Sequence, residues 1–469
     1  MANEITNEGL FKNADAGLVK FIQFIRDSIK GSKYEGKVHL CGGTVRDLML
    51  GVKPNSNLDF AVEIKGGGIS FAKWITKKHH CHGKNNPVNC DDWGTAYFSI
   101  DTYKEFAEFT VSSSQTNKVW PESSAAPIEE LFGTLEQDAA TRDFTINAIY
   151  YNLSTGTIYN ALGVSDIDHK IIRCPRESTY TFRVSPVRML RCIRLASQYG
   201  FSIEKTTWMG MLKLSHRVKR TDKIDIRIEL NKMLMLDKPS VALNRLFGSG
   251  VLKHLLPNIY SLKDGYENYA NRYTYLQHTF DVTDAVFPFL DNRIAALFHE
   301  IGRNVQARGD IDDFSASCAA DELSELGYSK SLVKNVSTAI QYHRYFSIYG
   351  DGVEPSTKRI NLFKALCKDD MPLVLDVMNA NNNCSQTDHK PRQVMLVLKK
   401  IEELDERAKK EETKLPINGD DIIEFLSIKK GPRVGYLLDK VKKAIEKEGE
   451  KTKDECLKIA QKAYADLYG

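Results

Sequence analysis

The chain lacks the features that would place it in the easily recognised classes. No stretch approaches the ~18 uninterrupted apolar residues of a membrane helix, so no membrane span is expected. Met1-Ala2-Asn3-Glu4 lacks the basic-then-apolar pattern of a secretory leader, and nine cysteines are scattered without a framework, which suits reduced thiols in the cytoplasm. There is no internal repeat and no low-complexity tract. A net charge of +4 is too small to mark a nucleic-acid binder by itself, because a phosphate-tracking surface depends on clustering rather than on a sum.

What is present is an ordinary globular composition, 42% hydrophobic and 27% charged, on 469 residues, enough for about two to four domains. Basic residues cluster between Arg183 and Arg227, with Arg188, Arg191, Arg194, Lys205, Lys213, Arg217, Lys219 and Arg220 among them. That run fits either a nucleic-acid surface or a solvated helix face. Apolar spacing predicts an amphipathic helix over residues 15–30 stopped by Gly31, a strand at Val38-His39-Leu40 and another from Leu58 to Ile64. Short strands are expected at 94–101, 106–111 and 149–153. From about Pro175 onward the period is helical, and residues 403–414 read as a charged helix or linker.

The stretch richest in chemistry is Gly42-Gly43-Thr44-Val45-Arg46-Asp47, followed by Asp59 in a short apolar run. A Gly-Gly turn opening a helix can cradle phosphate, since free backbone N–H groups and the positive helix end face the anion. Alternate positions on the following strand share one face, so residues 57 and 59 would together face a metal ion. Here the pair is Asn57 and Asp59, and an amide oxygen brings no charge to such a site.

Three motifs in order carry a family resemblance: Gly42-Gly43-Thr44-Val45-Arg46-Asp47 with Asp59; Thr141-Arg142-Asp143-Phe144-Thr145-Ile146-Asn147-Ala148; and Ser185-Pro186-Val187-Arg188-Met189-Leu190-Arg191. The chain resembles the class II nucleotidyltransferases, that is, CCA-adding tRNA nucleotidyltransferases and bacterial poly(A) polymerases. The resemblance implies an α+β fold: a polymerase-β-like head with a mixed sheet (residues 1–174), then a helical neck (175–257), a helical HD-like body (258–402) and a helical tail (403–469). It implies transfer of NMP from CTP or ATP to a tRNA or other RNA 3′ end. Asp59, Asn57 and Glu108 would hold Mg²⁺, with Asp59 and Glu108 catalytic. Gly42, Gly43 and Arg46 would hold the triphosphate, and Arg142, Asp143, Ser185, Arg188 and Arg191 would address the nucleotide. No organic cofactor is implied, and a larger protein assembly is a further possible partner.

The resemblance also marks departures. Asn57 replaces an aspartate, Thr141 an arginine, Val184-Ser185 a Glu-Asp pair that reads the base, and Ile224-Asp225 precedes the place where the family tends to have Glu-Arg. These open a second reading, a catalytically impaired homologue serving as an RNA-binding scaffold or assembly subunit. His278, His299-Glu300, Tyr342-His343 and Asp370 follow the order of an HD phosphohydrolase domain, with Glu300 where aspartate is usual, so a degenerate site of His278, His299, Glu300 and Asp370 is expected, with phosphohydrolase activity as a third reading. His79-His80-Cys81-His82 with Cys90 fits no standard zinc spacing and reads as a polar loop. The lysines from Lys440 onward, interleaved with glutamates, read as a solvated amphipathic face.

Overall fold

Strand β1, Val38–Cys41, is buried at every position and forms the spine of a mixed seven-stranded sheet. The computed structural model describes residues 7–12, 14–54, 57–81, 87–90, 95–100, 108–113, 115–116, 131–132, 134–303, 310–412, 415–449 and 451–468. With β2 (Asn57–Val62), β3 (Val88–Cys90), β4 (Thr95–Phe98), β5 (Glu108–Ser113), β6 (Tyr150–Asn152) and β7 (Ile158–Tyr159), the spatial order is β3-β4-β5-β2-β1-β6-β7. Only β2 and β5 run parallel within it. The antiparallel register of β1 on β2 sets Cys41 opposite Asp59, so the acid stands beside the glycine turn that follows Cys41.

Apolar periodicity supplies the layer behind the sheet. Helix α1, Ala16–Ile29, starts at Asp15, whose carboxylate accepts from the Gly17 N–H, and buries Leu18, Phe21, Ile22 and Ile25. Phe21 meets Phe60 of β2 edge-on. Helix α2, Gly43–Met49, springs from the turn, and α3, Gly67–Lys78, packs Phe71 against Tyr34 and Phe98. These elements match the strands and the helix expected from sequence, except that β2 stops at Val62, two residues short of Ile64. At the end of α3, His79 stacks on Phe24 and bonds Ser28, an ordinary packed histidine. His82 and the Cys90 side chain lie outside the described residues.

Beyond the sheet, α4 (Leu135–Thr141) opens with a reciprocal cap between Thr134 and Gln137. Helices α5 (Ser178–Val184), α6 (Val187–Gln198) and α7 (Lys223–Leu234) follow, then a bundle of α8 (Tyr275–Ala285), α9 (Leu290–Phe298), α10 (Ile311–Glu325), α11 (Lys330–Tyr342) and α12 (Met371–Cys384). The fold is thus α+β, as expected, with one seven-stranded sheet, three two-stranded ones and mostly helices among the described residues.

Two compact units divide the chain, residues 1–344 with 369–389, and residues 345–368 with 390–469. The second unit is wholly helical among its described residues and has its own core of Ile417, Ile422, Leu437, Val441, Cys456 and Ala460. Within it the helix Gln393–Glu412 runs unbroken through the expected division at 402/403, so the charged stretch 403–412 is helix rather than linker. In the helix Pro432–Glu448, Lys440 lies over the Tyr436 ring and Lys443 pairs with Asp439 while Leu437 and Val441 are buried, the pattern of a solvated amphipathic face.

The short helix Ala161–Asp168 lies so close to the 3₁₀ turn Thr145–Asn147 that a side chain at Gly163 would collide with the Thr145 carbonyl and come within 2.7 Å of Ile149 Cγ1. Gly163→Ala is therefore expected to destabilise the first unit by about 1–3 kcal/mol through overpacking, read as a lower urea midpoint at unchanged slope. A midpoint equal to that of the unaltered chain would contradict this packing.

Candidate active site

The glycine turn and the acid of β2 meet directly. Gly42 sits at φ +70°, and a Cβ there would lie 2.9 Å from Asp59 Oδ2, so both the backbone and the neighbouring carboxylate demand glycine. Behind the turn the Arg46 guanidinium folds under Gly43: Nε and Nη2 donate to Asp47 Oδ1 at 2.9 and 2.7 Å, Nη1 donates to Asn147 Oδ1 at 2.5 Å, and the group lies over the Tyr199 ring. Tyr199 Oη donates to the same Asp47 oxygen at 2.7 Å. Arg46 lines the cleft, but all three of its nitrogens are already engaged in bracing the turn.

The second motif continues this network. Asp143 Oδ1 accepts from the Phe144 N–H at 2.8 Å and from Asn147 Nδ2 at 3.0 Å, and its Oδ2 accepts from Arg191 Nη1 at 3.0 Å. Burial alone would raise the Asp143 carboxyl, but Arg191, Arg188 and the Asn147 bond bring it down to about 2. Arg188 donates to the main-chain oxygens of Thr141 and Arg142 at 2.9 and 3.4 Å. Arg142 in turn is held by Asp138 at 3.1 Å and by Cys41 Sγ at 3.3 Å, and Tyr150 Oη donates to the same Asp138 oxygen. Burial pushes the Cys41 thiol up to about 12, so it stays neutral. Further along α6, Arg194 pairs with Glu229 of α7.

These groups enclose a cleft of about 480 Å³. Six arginines (46, 142, 176, 188, 191 and 194) and three aspartates (59, 138 and 143) line it, with Gly42 and Gly43 at one end and Tyr180, Thr181 and Val184 at another. Of the expected site residues, Gly42, Gly43, Arg46, Asp59, Arg142, Asp143, Arg188 and Arg191 come together here. Asn57 and Ser185 are not among the lining residues. Asn57 is exposed at the first position of β2, and Ser185 caps the end of α5, where its N–H bonds the Thr181 carbonyl, so that Val184 faces the cleft instead. Glu108 pairs with Asn57 across the β2–β5 ladder, and its side chain lies outside the described residues. Sequence reasoning missed Arg176 and Tyr180, whose i, i+4 spacing brings the cation over the ring at 5.6 Å and could have flagged them. It also gave no nucleotide role to Arg194, the third member of the run at 188, 191 and 194.

The HD-like residues divide. His278, His299 and Glu300 cluster in the bundle core, none more than 2% exposed. Asp370 does not join them: it precedes α12, whereas His278 faces Asn381 at 2.9 Å, eleven residues and about 16 Å farther along that helix. Glu300 is taken up by Arg303 and Arg344. The expected four-residue site is therefore corrected, and a group so buried offers no seat for a phosphate ester.

A profile of the poly A polymerase head domain matches residues 38–173, and one described as the "probable RNA and SrmB-binding site of polymerase A" matches residues 200–262. The chain is similar to the mitochondrial CCA tRNA nucleotidyltransferase of Saccharomyces cerevisiae, 30% identical over 233 residues that cover 45% of this chain and 41% of that protein. It is also similar to the A-adding tRNA nucleotidyltransferase of Geobacter sulfurreducens, 29% identical over 246 residues, 51% of this chain and 26% of that one. The chain thus spans well under half the length of these curated relatives. In fold it is similar to the Thermotoga maritima CCA-adding enzyme complexed with tRNA, with a TM-score of 0.56 at 18% identity over 97% of this chain and 98% of that one.

Asp143→Asn preserves shape but removes the charge that Arg188 and Arg191 face. Because the folded carboxyl titrates below its ordinary value of 3.8, its stabilisation is present above about pH 4 and is lost as pH falls toward about 2. The variant is expected to be ~1–3 kcal/mol less stable at pH 7, with the gap to the unaltered chain closing between about pH 4 and pH 2 in thermal melts. A gap constant across that range would show that the charge has no part in the joint.

Proposed function

We propose that this chain belongs to the nucleotidyltransferase family of CCA-adding enzymes and poly(A) polymerases, binds a nucleoside triphosphate in the arginine-lined cleft and transfers its nucleotidyl group to the 3′ end of an RNA. The observation that carries the reading is the contact of the Asp59 carboxylate with the Gly42 turn inside a cleft with twice as many arginines as aspartates. That pairing gives a triphosphate its backbone N–H donors and sets one acid beside them. Arg188 spends its fork on carbonyl oxygens rather than on a carboxylate, which leaves its charge facing the cleft. Arg188, Arg191 and Arg194, three residues apart on α6, form the row along which phosphates of an incoming strand would lie.

Nucleotidyltransferases of this family generally use divalent metal ions. The residues present fit an ion that arrives on the nucleotide: Mg²⁺ takes oxygen ligands and is commonly bound by one or two carboxylates plus substrate phosphates, and Asp59 supplies one. When bound, such an ion neutralises triphosphate charge and activates the attacking hydroxyl. Asp59 would hold it, while Asn57 brings no charge. The chain's own residues then bind and orient: the Gly42-Gly43 turn takes the phosphates, and Tyr180 with Val184 borders the base. Val184 has no hydrogen-bonding group, so the base edge goes unread at that position and discrimination between ATP and CTP is weak.

A tRNA 3′ end is the RNA that we favour. The eight described cysteines are free thiols, which suits a reducing compartment, and no described helix is long and apolar enough to cross a membrane; we place the protein in the cytoplasm. The exposure of Asn57 and the presence of Val184 in the cleft favour one competing reading, an RNA-binding homologue that has lost turnover.

Incubation with tRNA lacking its 3′ end, labelled ATP or CTP, and Mg²⁺ separates these. The expected outcome is extension with kcat/KM for the two nucleotides within about tenfold, a loss of at least ~100-fold in Asp59→Asn and a gain in Asn57→Asp. No extension by either the unaltered chain or Asn57→Asp, with RNA binding retained and salt-sensitive, would replace the enzyme by the scaffold.

A further inference from the structure

One wall of the cleft carries a row of side chains whose middle has nothing to offer a phosphate. Arg176, Tyr180, Val184 and Arg188 follow one another at intervals of four, and all of them line the cleft. The order is cation, aromatic, aliphatic, cation, so the row is apolar at its centre and charged at its ends. Tyr180 and Val184 are half-buried, and the Arg176 guanidinium lies over the Tyr180 ring at 5.6 Å, which joins cation and ring at the cleft surface. Among the described residues, no carboxylate or amide side chain lines the cleft between positions 176 and 188.

The helix that displays this row is held from behind. Phe182 of α5 is fully buried, Ser178 Oγ donates to the Thr206 carbonyl at 2.7 Å, and the Cys174 N–H donates to Thr207 Oγ1 at 3.0 Å. Helix α5 packs so closely on the helix Lys205–Leu214 that a Cβ at Gly210 would collide with Ser178 Oγ. At the far end of the row, Arg188 is pinned by its bonds to the main-chain oxygens of Thr141 and Arg142. A base lying against Tyr180 and Val184 therefore meets a preformed apolar surface rather than one that must first be ordered.

The hydrogen-bonding edge differs from base to base, but every base has a π-face, and an aromatic surface holds a larger ring system more strongly. Resting on the nucleotidyl-transfer reading above and narrowing it, we infer that Arg176, Tyr180 and Val184 form a stacking platform, and that the cleft takes purine nucleoside triphosphates, GTP as readily as ATP, ahead of pyrimidines. Tyr180 supplies the ring, and Arg176 acts through it as a positioning residue. Val184 completes the apolar strip at a place where a carboxylate or amide would have selected one edge. The second ring of a purine adds about three- to tenfold to binding, the share of a stacked base's contribution that the extra area carries. The competing arrangement is a surface pair that only steadies the start of α5.

The test measures equilibrium binding to the full chain, in Mg²⁺ and without RNA, of ATP, GTP, ITP, CTP, UTP and inorganic tripolyphosphate, a readout independent of transfer. Expected are ATP, GTP and ITP within about threefold of one another, and each about three- to tenfold tighter than CTP or UTP. In Tyr180→Leu the purines weaken at least about fivefold and converge on the pyrimidines, while tripolyphosphate moves less than about twofold. Tyr180→Phe keeps the gap between the two classes, and Arg176→Gln narrows it. A preference of more than about tenfold for one purine over another shows that an edge is read and overturns the platform. Equal affinity for purines and pyrimidines, with tripolyphosphate still bound, also overturns it and leaves the triphosphate cleft standing, whereas no binding of any nucleotide or of tripolyphosphate overturns both. Should Tyr180→Leu fail to fold, the base series on the unaltered chain decides by the same limits.

Discussion

The arrangement of the cleft rests on one buried polar chain that runs from Tyr199 through Asp47, Arg46, Asn147 and Asp143 to Arg191, and on through Glu229 to Arg194. Local links, Arg46 to Asp47 and Asn147 to Asp143, alternate with long-range ones, and a half-satisfied network of this kind is worse than none. It welds three things that must keep register: the helix after the glycine turn, the motif from Thr141 to Asn147, and the arginine face of α6. Two of the charges that sequence reasoning assigned to ligand, Arg46 and Asp143, are structural members of this chain. Arg188, whose bonds go to main-chain oxygens, and Arg176 line the cleft beside it.

Much of this could be read from the sequence, and the failures have physical causes. The strand ending at Cys41, the Gly-Gly turn and the strand bearing Asp59 follow from apolar runs and from a conformation only glycine adopts freely. Period-two parity puts residues 57 and 59 on one face, but parity says nothing of depth. Asn57 opens its strand and is exposed, while Asp59 sits one step inside. Ser185 was assigned by its place in a motif, yet α5 ends there and its last residue, Val184, turns inward. Asp370 follows the histidines in the order of a known pattern, but order along a chain is not distance, and α12 carries that acid away from them.

The two halves of the first unit use histidine and arginine in opposite ways. Around the cleft, arginines pair with buried carboxylates and with main-chain carbonyls. In the bundle, burial pushes His299 down to about 3 and lowers His343, so both rings are neutral and their free nitrogens are electron-pair donors.

Because Arg188 grips the main-chain oxygens of residues 141 and 142 and ignores their side chains, the joint between the motif and α6 is indifferent to which amino acid stands there. Threonine at position 141 can therefore replace a longer cation without loosening the hinge. The surface presented to a nucleotide at that position is free to drift in polarity over generations while the architecture that displays it stays fixed.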